Sequence, residues 1–194
     1  MTQPILIILS GPPCSGKTTI GSHISQTFSL PFIKKDGIKE ILFDSLGWKD
    51  RAWSKQLSRA SYSLLFHLIE VEFRAGKSLL VEGNFDPGRD ANKLIELQKE
   101  YHFISLEVLC QCDGGILYER FKRRWESGER HPGHVDNTTY EELKDILLKG
   151  SIPPLGLSGE VIKMDTTDFE RIDFPVLEER IMELLKQGVN NLPV

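Results

Sequence analysis

Short apolar runs alternate along this chain with longer segments in which apolar residues recur every three or four positions. The apolar runs predict β-strands over Ile5–Leu9, Phe32–Ile33, Ser78–Val81, Phe103–Leu109 and Val161–Met164. The segments of helical period predict α-helices over Lys17–Phe28, Gly37–Leu46, Trp53–Arg74, Asp90–Tyr101, Gly114–Trp125, Thr139–Leu148 and Phe174–Leu185. Because the strands are apolar throughout, they are typical of strands covered on both faces. The alternation predicts a single α/β domain over residues 1–194, built on one open parallel sheet.

The composition is that of an ordinary globular protein. Of the 194 residues, 40% are hydrophobic and 27% are charged, which excludes a disordered or collagen-like chain. The formal net charge of −4 argues against bulk electrostatic binding to long nucleic acids, while leaving room for a local basic groove. Cys14, Cys110 and Cys112 are too few for a disulfide framework, so we expect buried thiols in a reducing compartment.

The sequence gives no indication of export or membrane insertion. Ile5–Leu9 has no basic residue before it and a glycine-proline turn after it, unlike a secretory signal. No apolar stretch approaches the roughly 20 residues needed to cross a bilayer. We therefore expect a soluble, cytoplasmic protein without a membrane partner.

The segment Gly11–Thr18, between the first predicted strand and the first predicted helix, fits the phosphate-binding pattern GxxxxGK(S/T). Glycines let the backbone curl around an anion, and successive N–H groups at a helix N-terminus supply positive charge. Pro12 and Pro13 have no N–H group, so the donors must come from the later half of the loop. We expect Lys17 to neutralise phosphate charge and the Thr18 hydroxyl to ligate Mg²⁺. The predicted nucleotide contacts are Gly11, Cys14, Ser15, Gly16, Lys17, Thr18 and Thr19.

The loop does not by itself say which nucleotide enzyme this is. A GTPase would carry an Asn-Lys-x-Asp motif that reads the guanine base, and the sequence has none. Parallel α/β sheets place their ligands at the carboxyl ends of the strands, so the residues that follow the other strands carry the remaining information.

Two carboxylates follow predicted strands. Asp36 comes after the second strand, where it could take the proton of a hydroxyl acceptor or simply cap the next helix. Glu82 ends the third strand, where it could orient a water bound to Mg²⁺ or only cap the strand end.

Basic residues cluster near the fifth predicted helix. Arg120 and Arg124 are four positions apart and share a helix face, and Arg130 follows in a glycine-bearing loop. Arginines on a mobile lid over residues 120–137 could cover the transferring phosphoryl group and exclude water, although a solvated basic helix remains the alternative. His131 and His134 have no neighbouring Cys or acidic cluster, so we do not expect them to bind metal. Thr166, after the last strand, could contact the adenine edge or lie in a plain turn.

The chain resembles the small P-loop kinases that include polynucleotide kinase, chloramphenicol phosphotransferase, zeta toxins and gluconate kinase. The phosphate loop, the segment Lys35–Lys39, and the segment Glu82–Arg89 are similar to polynucleotide kinase, while Arg124 followed by Arg130–His134 is similar to gluconate kinase. The resemblance implies a P-loop three-layer sandwich with a five-stranded parallel sheet in the order 2-3-1-4-5, a helical lid, and ATP with Mg²⁺ as cofactors.

The same resemblance implies roles for particular side chains. Asp36 would be the general base, and Lys39 would hold the acceptor. From their places in the sequence, we add Asn84 and Arg89 as candidates for the acceptor pocket. We further expect Lys17, Arg124 and Arg130 to stabilise the transferring charge, with Arg120 and Thr166 at the nucleotide.

The acceptor is the open question. Lys39 stands where polynucleotide kinase has an arginine, and lysine cannot fork onto a phosphate in the same way. With the acidic net charge, this favours an ATP-dependent kinase for the hydroxyl of a small molecule or nucleoside over a 5′-hydroxyl polynucleotide kinase. A nucleotide-dependent regulatory or toxin-type module is the third possibility.

Overall fold

The computed structural model describes residues 3–135 and 140–190. The strands are β1 (Ile5–Ser10), β2 (Phe32–Lys34), β3 (Leu79–Glu82), β4 (Ile104–Gln111) and β5 (Gly159–Asp165). The helices are α1 (Lys17–Phe28), α2 (Lys35–Leu46), α3 (Arg51–Arg74), α4 (Pro87–Tyr101), α5 (Gly114–Glu126), α6 (Tyr140–Lys149) and α7 (Phe174–Asn190). Thr139, predicted as helical, and residues 136 and 137 of the predicted lid lie outside the described residues.

The strands form one five-stranded sheet in the order β2-β3-β1-β4-β5, as the family resemblance implied. Every neighbouring pair is parallel, and β1 lies at the centre, with Ile7 opposite Leu80 of β3 and Leu106 of β4. The carboxyl ends of all strands therefore meet at one edge of the sheet, where the loops that follow them come together.

Helices cover both faces of the sheet, which gives three layers. Alternate residues of β1 point to opposite faces: Ile5, Ile7 and Leu9 join one apolar core, whereas Leu6 and Ile8 join the other. The first core includes residues of α1 and α7, and the second includes residues of α3 and α4. All six residues of β1 are buried, as its continuous apolar sequence predicted.

The prediction that every strand is covered on both faces is wrong for the two edge strands. The three residues of β2 and most of the seven residues of β5 keep partial or full exposure. An edge strand has a neighbour on one side only, and here the flanking helices cover it incompletely. No helix within the described ranges is long and apolar enough to span a membrane.

Candidate functional site

The phosphate loop connects the central strand β1 to the N-terminus of α1. Gly11 has φ +137°, and a Cβ there would lie 2.4 Å from the carbonyl oxygen of Cys110. Gly16 has φ +79°, and a Cβ there would lie 2.6 Å from the ring of Phe169. Cys14 also takes a left-handed conformation, with φ 63°, and packs against a small apolar cluster that contains Leu117 and Phe121. Both glycines are thus required by the path of the backbone and by its close neighbours.

Two buried side chains of the loop have polar atoms suited to phosphate. The Lys17 ammonium donates hydrogen bonds to the carbonyls of Gly11 at 2.9 Å and Pro12 at 2.6 Å, and burial lowers its pKa against the opposing pull of Glu82. The Ser15 hydroxyl oxygen is buried and has no hydrogen-bond partner among the described residues. A buried hydroxyl without a partner is uncommon in folded proteins, and a phosphate oxygen in the loop would supply one.

Thr18 and Glu82 lie together at the mouth of the loop. The Thr18 hydroxyl is 2.9 Å from each carboxylate oxygen of Glu82, so β3 and α1 present their oxygens to one point. Burial raises the pKa of Glu82, while the nearby Lys17 ammonium opposes the change. The described residues contain no group of three or more His, Cys, Asp or Glu side chains arranged for a metal. A hydroxyl and a carboxylate are oxygen ligands of the kind Mg²⁺ takes when nucleotide phosphates complete its coordination, so the pair fits Mg–ATP.

Asp36 lies in the first turn of α2, not at its N-cap, because the helix starts at Lys35 and Lys34 is the capping residue. The N-cap alternative for Asp36 is therefore wrong. Its two carboxylate oxygens pair with the Lys35 ammonium at 2.9 Å and the Arg130 guanidinium at 2.8 Å. Burial alone would raise the pKa of Asp36, but these two cations outweigh it and hold the pKa well below its usual range. Asp36 is consequently ionised at neutral pH.

The arginines of α5 and the following loop point into the site. Arg120, Arg124 and Arg130 all line the cavity above the phosphate loop, whereas Arg123 on the same helix is exposed. A uniformly solvated basic helix would expose all of them. Arg120 donates to the carbonyls of Thr166 and Thr167, both at 2.9 Å, so it also fixes the loop after β5.

Thr166 lies behind the phosphate loop and not in the cavity. Its side chain is fully buried, and its hydroxyl is within hydrogen-bond distance of the carbonyls of Ser15 at 2.9 Å and Gln111 at 3.0 Å. Nothing in this geometry indicates the predicted contact of Thr166 with the adenine edge. The Thr166 hydroxyl instead stabilises the phosphate loop through its hydrogen bond to Ser15.

A second cavity, of about 170 Å³, adjoins the nucleotide cavity of about 280 Å³. Pro13, Asp36, Asn84 and Arg130 line both, so the two cavities meet at the Asp36 carboxylate. The other residues around the second cavity are Lys35, Lys39, Arg51, Ser58, Tyr62, Arg89, Phe121, His134 and Leu143. We call this second cavity the acceptor cavity.

Lysine and arginine side chains dominate the acceptor cavity. Lys39 is only 4% exposed and donates a hydrogen bond to the Ser54 hydroxyl at 2.9 Å. Burial, reinforced by the Lys35 charge, lowers the pKa of Lys39 to about 7. Arg89 pairs with the buried Asp90 at 2.7 Å and lies over the ring of Tyr62. Lys39, Asn84 and Arg89, the residues predicted for the acceptor pocket, thus line one cavity.

No individual role was predicted for His134, yet it is buried within a chain of hydrogen bonds. Its ring is 2.9 Å from the Glu40 carboxylate and 3.0 Å from the Arg130 guanidinium, which in turn reaches Asp36. Burial and the neighbouring Arg130 charge lower the pKa of His134 to about 3. A neutral His134 can accept a hydrogen bond from Arg130 and donate one to Glu40, which orients Arg130 toward Asp36. The four-residue spacing of Arg130 and His134 is the one feature of the sequence that could have indicated their contact.

Comparison with known proteins places this geometry in a family. Residues 6–147 match the AAA_33 family, described as an AAA domain. A provisionally assigned kinase from Chloroflexus aurantiacus j-10-fl is 35% identical, with a TM-score of 0.88 over 93% of this chain and 98% of its own. A sugar kinase from Janibacter sp. HTCC2649 shares the fold at 16% identity, with a TM-score of 0.54 over 95% of each chain. No protein of curated function matches the chain. The chain belongs to the AAA_33 family of AAA-domain proteins, and its fold is that of the P-loop kinases.

Proposed function

We propose that this protein is an ATP-dependent kinase that transfers the γ-phosphoryl group to a hydroxyl of a small molecule. The observation that carries the proposal is the junction of the two cavities at Asp36 and Arg130. One cavity has the phosphate loop as its floor, and the other is a separate space of about 170 Å³. An enzyme that only hydrolysed ATP would need no second cavity opening beside its phosphate loop. The likeness to the provisionally assigned kinase from Chloroflexus supports the same class.

Mg–ATP, when bound, supplies the phosphoryl group together with the metal that balances part of its charge. Lys17 and the backbone of the phosphate loop hold the phosphates, while Thr18 and Glu82 provide protein oxygens for the metal. Arg124 and Arg130 line the same cavity and stabilise the negative charge that spreads over the phosphoryl oxygens. Arg120 keeps the loop after β5 in place beside the nucleotide cavity.

Asp36 orients the acceptor hydroxyl and receives its proton. The hydroxyl oxygen forms a bond to the γ-phosphorus, the bond from that phosphorus to the ADP oxygen breaks, and the proton passes to the Asp36 carboxylate. Asp36 is a weak base while Lys35 and Arg130 both pair with it, because they hold its pKa low. When Arg130 turns toward the phosphoryl oxygens, Asp36 loses one of these cations and becomes more basic.

The charge of the acceptor cavity favours a polar acceptor. Lys35, Lys39 and Arg89 lie around the single carboxylate, Asp36, that lines this cavity among the described residues. Hydroxyl-rich compounds and compounds with an anionic group can satisfy these donors, whereas a purely apolar alcohol would leave them unpaired.

The test is acceptor-dependent release of ADP from Mg–ATP, measured over sugars, sugar acids, nucleosides, aromatic alcohols and 5′-hydroxyl oligonucleotides. We expect a small hydroxyl compound to raise turnover well above background. Asp36→Asn should abolish that increase, while the exposed Asp145→Asn should leave it intact. A response confined to oligonucleotides, weakened steeply by salt, would instead support a polynucleotide kinase. Tight ATP binding with no response to any acceptor would contradict kinase activity and favour a regulatory module.

A further inference from the structure

A third cavity, of about 720 Å³, lies beyond the acceptor cavity, and aromatic side chains form much of its wall. The lining includes the aromatic side chains of Trp48, Trp125 and His131, and the apolar side chains of Pro132 and Val135. Trp48 and Trp125 are 49% and 48% exposed, although tryptophan side chains are mostly well buried in folded proteins. We call this space the aromatic cavity.

The wall near Trp48 is fixed by hydrogen bonds of the neighbouring residues. Trp48 follows Gly47, whose carbonyl accepts a hydrogen bond from the indole N–H of Trp53 at 2.9 Å. Asp50 caps α3 by accepting from the backbone N–H of Trp53, also at 2.9 Å. Trp53 is thus anchored on both sides of the short connection between α2 and α3. The position of the Trp48 backbone is set before any ligand binds.

His131 forms the next part of the wall. Its ring stacks on Phe43 with centroids 5.0 Å apart and planes 17° apart, and its Nε2 is 3.2 Å from the Asp44 carboxylate. The Trp48 ring meets the His131 ring edge-on, with centroids 6.4 Å apart. Flat rings therefore cover a continuous surface from the α2–α3 connection to the loop that follows α5.

The aromatic cavity is continuous with the acceptor cavity. Arg51, Arg130 and His134 line both cavities, so these three side chains form the boundary that the two spaces share. A molecule with one end beside Asp36 can extend past Arg130 into the aromatic cavity.

The chemistry of the wall favours a flat aromatic ring. Indole and imidazole faces stack with other aromatic rings, and guanidinium planes such as those of Arg51 and Arg130 stack on them as well. Aliphatic groups would gain contact area from the same surface but none of the ring-to-ring or cation-to-ring attraction.

We propose that the acceptor carries an aromatic ring, which packs against Trp48 and Trp125 while its hydroxyl lies beside Asp36. This inference rests on the proposed kinase function and adds to it the class of acceptor. It concerns the part of the acceptor that lies away from the reacting hydroxyl, and it adds no chemical step to the transfer.

The experiment compares matched pairs of hydroxyl compounds that differ in the ring alone. Suitable pairs are p-nitrophenyl and methyl β-glucoside, benzyl and methyl β-glucoside, and a pyrimidine ribonucleoside and methyl riboside. Affinities are measured by calorimetric titration in the presence of Mg²⁺ and a non-hydrolysable ATP analogue. Turnover is measured separately by ADP release. The variants are the Trp48→Ala/Trp125→Ala double variant, the matching Phe double variant, and Leu46→Ala, an exposed apolar control outside the aromatic cavity.

We expect the ring-bearing member of at least one pair to bind about tenfold more tightly than its methyl partner. The Ala double variant should lose that preference, the Phe double variant should keep most of it, and Leu46→Ala should leave it unchanged. Equal binding within every pair, or a preference that survives the Ala double variant, would overturn the inference.

The two readouts separate this inference from the proposed function. If ring-bearing compounds bind through the tryptophans but no compound is phosphorylated, the aromatic subsite stands and the kinase proposal fails. If ringless acceptors alone are phosphorylated, the kinase proposal stands and the aromatic subsite fails.

Discussion

The phosphate loop and the acceptor cavity lie side by side but are built in opposite ways. The loop is a run of consecutive residues between β1 and α1, and its shape comes from backbone conformations at Gly11 and Gly16. The acceptor cavity gathers side chains from α2, α3, α4 and the segment after α5, and its shape comes from their packing. A backbone cradle can hold the phosphates of many nucleotides, whereas in the kinase we propose the side-chain cavity selects the acceptor. Variants that affect one region and spare the other test this division.

The largest effect is expected at the loop. Lys17→Met should lower turnover about 1000-fold, because the ammonium that would face the phosphates is removed from a buried position. Steady-state kinetics with Mg–ATP measure the loss. The exposed Lys77→Met, in the connection before β3, is the matched control and should behave like the wild type. Normal turnover in Lys17→Met would mean that the loop does not take part in transfer.

Asp36→Asn should give the next largest effect. Asp36 lines both the nucleotide cavity and the acceptor cavity. We expect kcat to fall about 100-fold while ATP affinity is kept, since the amide can accept a hydrogen bond from the hydroxyl but cannot take its proton. In the free wild-type enzyme, the pKa of Asp36 lies well below its usual range, so mildly acidic pH should not reduce kcat/KM through this group. Near-normal transfer by Asp36→Asn would remove the carboxylate from the mechanism.

Glu82→Gln should alter the metal requirement and not the acceptor requirement. The amide would retain the position beside Thr18 but lose the negative charge that attracts a cation, so the Mg²⁺ concentration for half-maximal rate should rise about tenfold. A titration with MgCl₂ at saturating acceptor measures the shift. Glu179→Gln, on the exposed side of α7, serves as the control. An unchanged Mg²⁺ dependence would place the metal elsewhere.

Lys39→Met should produce the smallest change. It should alter the stability of the folded protein and leave the phosphate loop unaffected. The lysine is buried near Lys35, Arg51 and Arg130, with Asp36 as the opposing charge, and its pKa is lowered to about 7. We expect the methionine variant to melt about 5 °C higher near neutral pH.

The sign of the pH dependence follows from the direction of that shift. Below about pH 7 the folded protein carries the buried charge and the wild type bears the full penalty. Between that pH and the ordinary lysine pKa, the unfolded chain binds more protons than the folded one, so wild-type stability rises with pH and the variant's advantage shrinks. Melting curves over this range, with the exposed Lys99→Met as control, measure it. A constant difference at every pH would mean that Lys39 is not the buried charge responsible.

The same contrast explains how far the sequence predicts the molecule. Lys17–Phe28 was predicted with the bounds that the structure has, because a glycine-rich turn and a helical period mark both ends locally. The loop pattern likewise depends on neighbours in the sequence.

The acceptor side could be predicted only in part. Asp36 and Arg130 are 94 positions apart, and nothing in the sequence pairs them. The chain of hydrogen bonds continues from Arg130 through His134 to Glu40, and it forms only once α2 and the loop after α5 pack together. The burial of Thr166 behind Ser15 is likewise not visible in the sequence, because it depends on how β5 ends against the phosphate loop.

The most direct test of the proposed phosphoryl transfer follows the γ-phosphoryl group itself. Mg–ATP labelled in the γ-phosphoryl group is incubated with the enzyme and the best acceptor, and the products are separated. We expect the label to appear on the acceptor as a phosphate monoester in amounts equal to the ADP formed, and we expect Asp36→Asn to lose this product. Label found only as inorganic phosphate, with the acceptor unchanged, would contradict the proposed transfer.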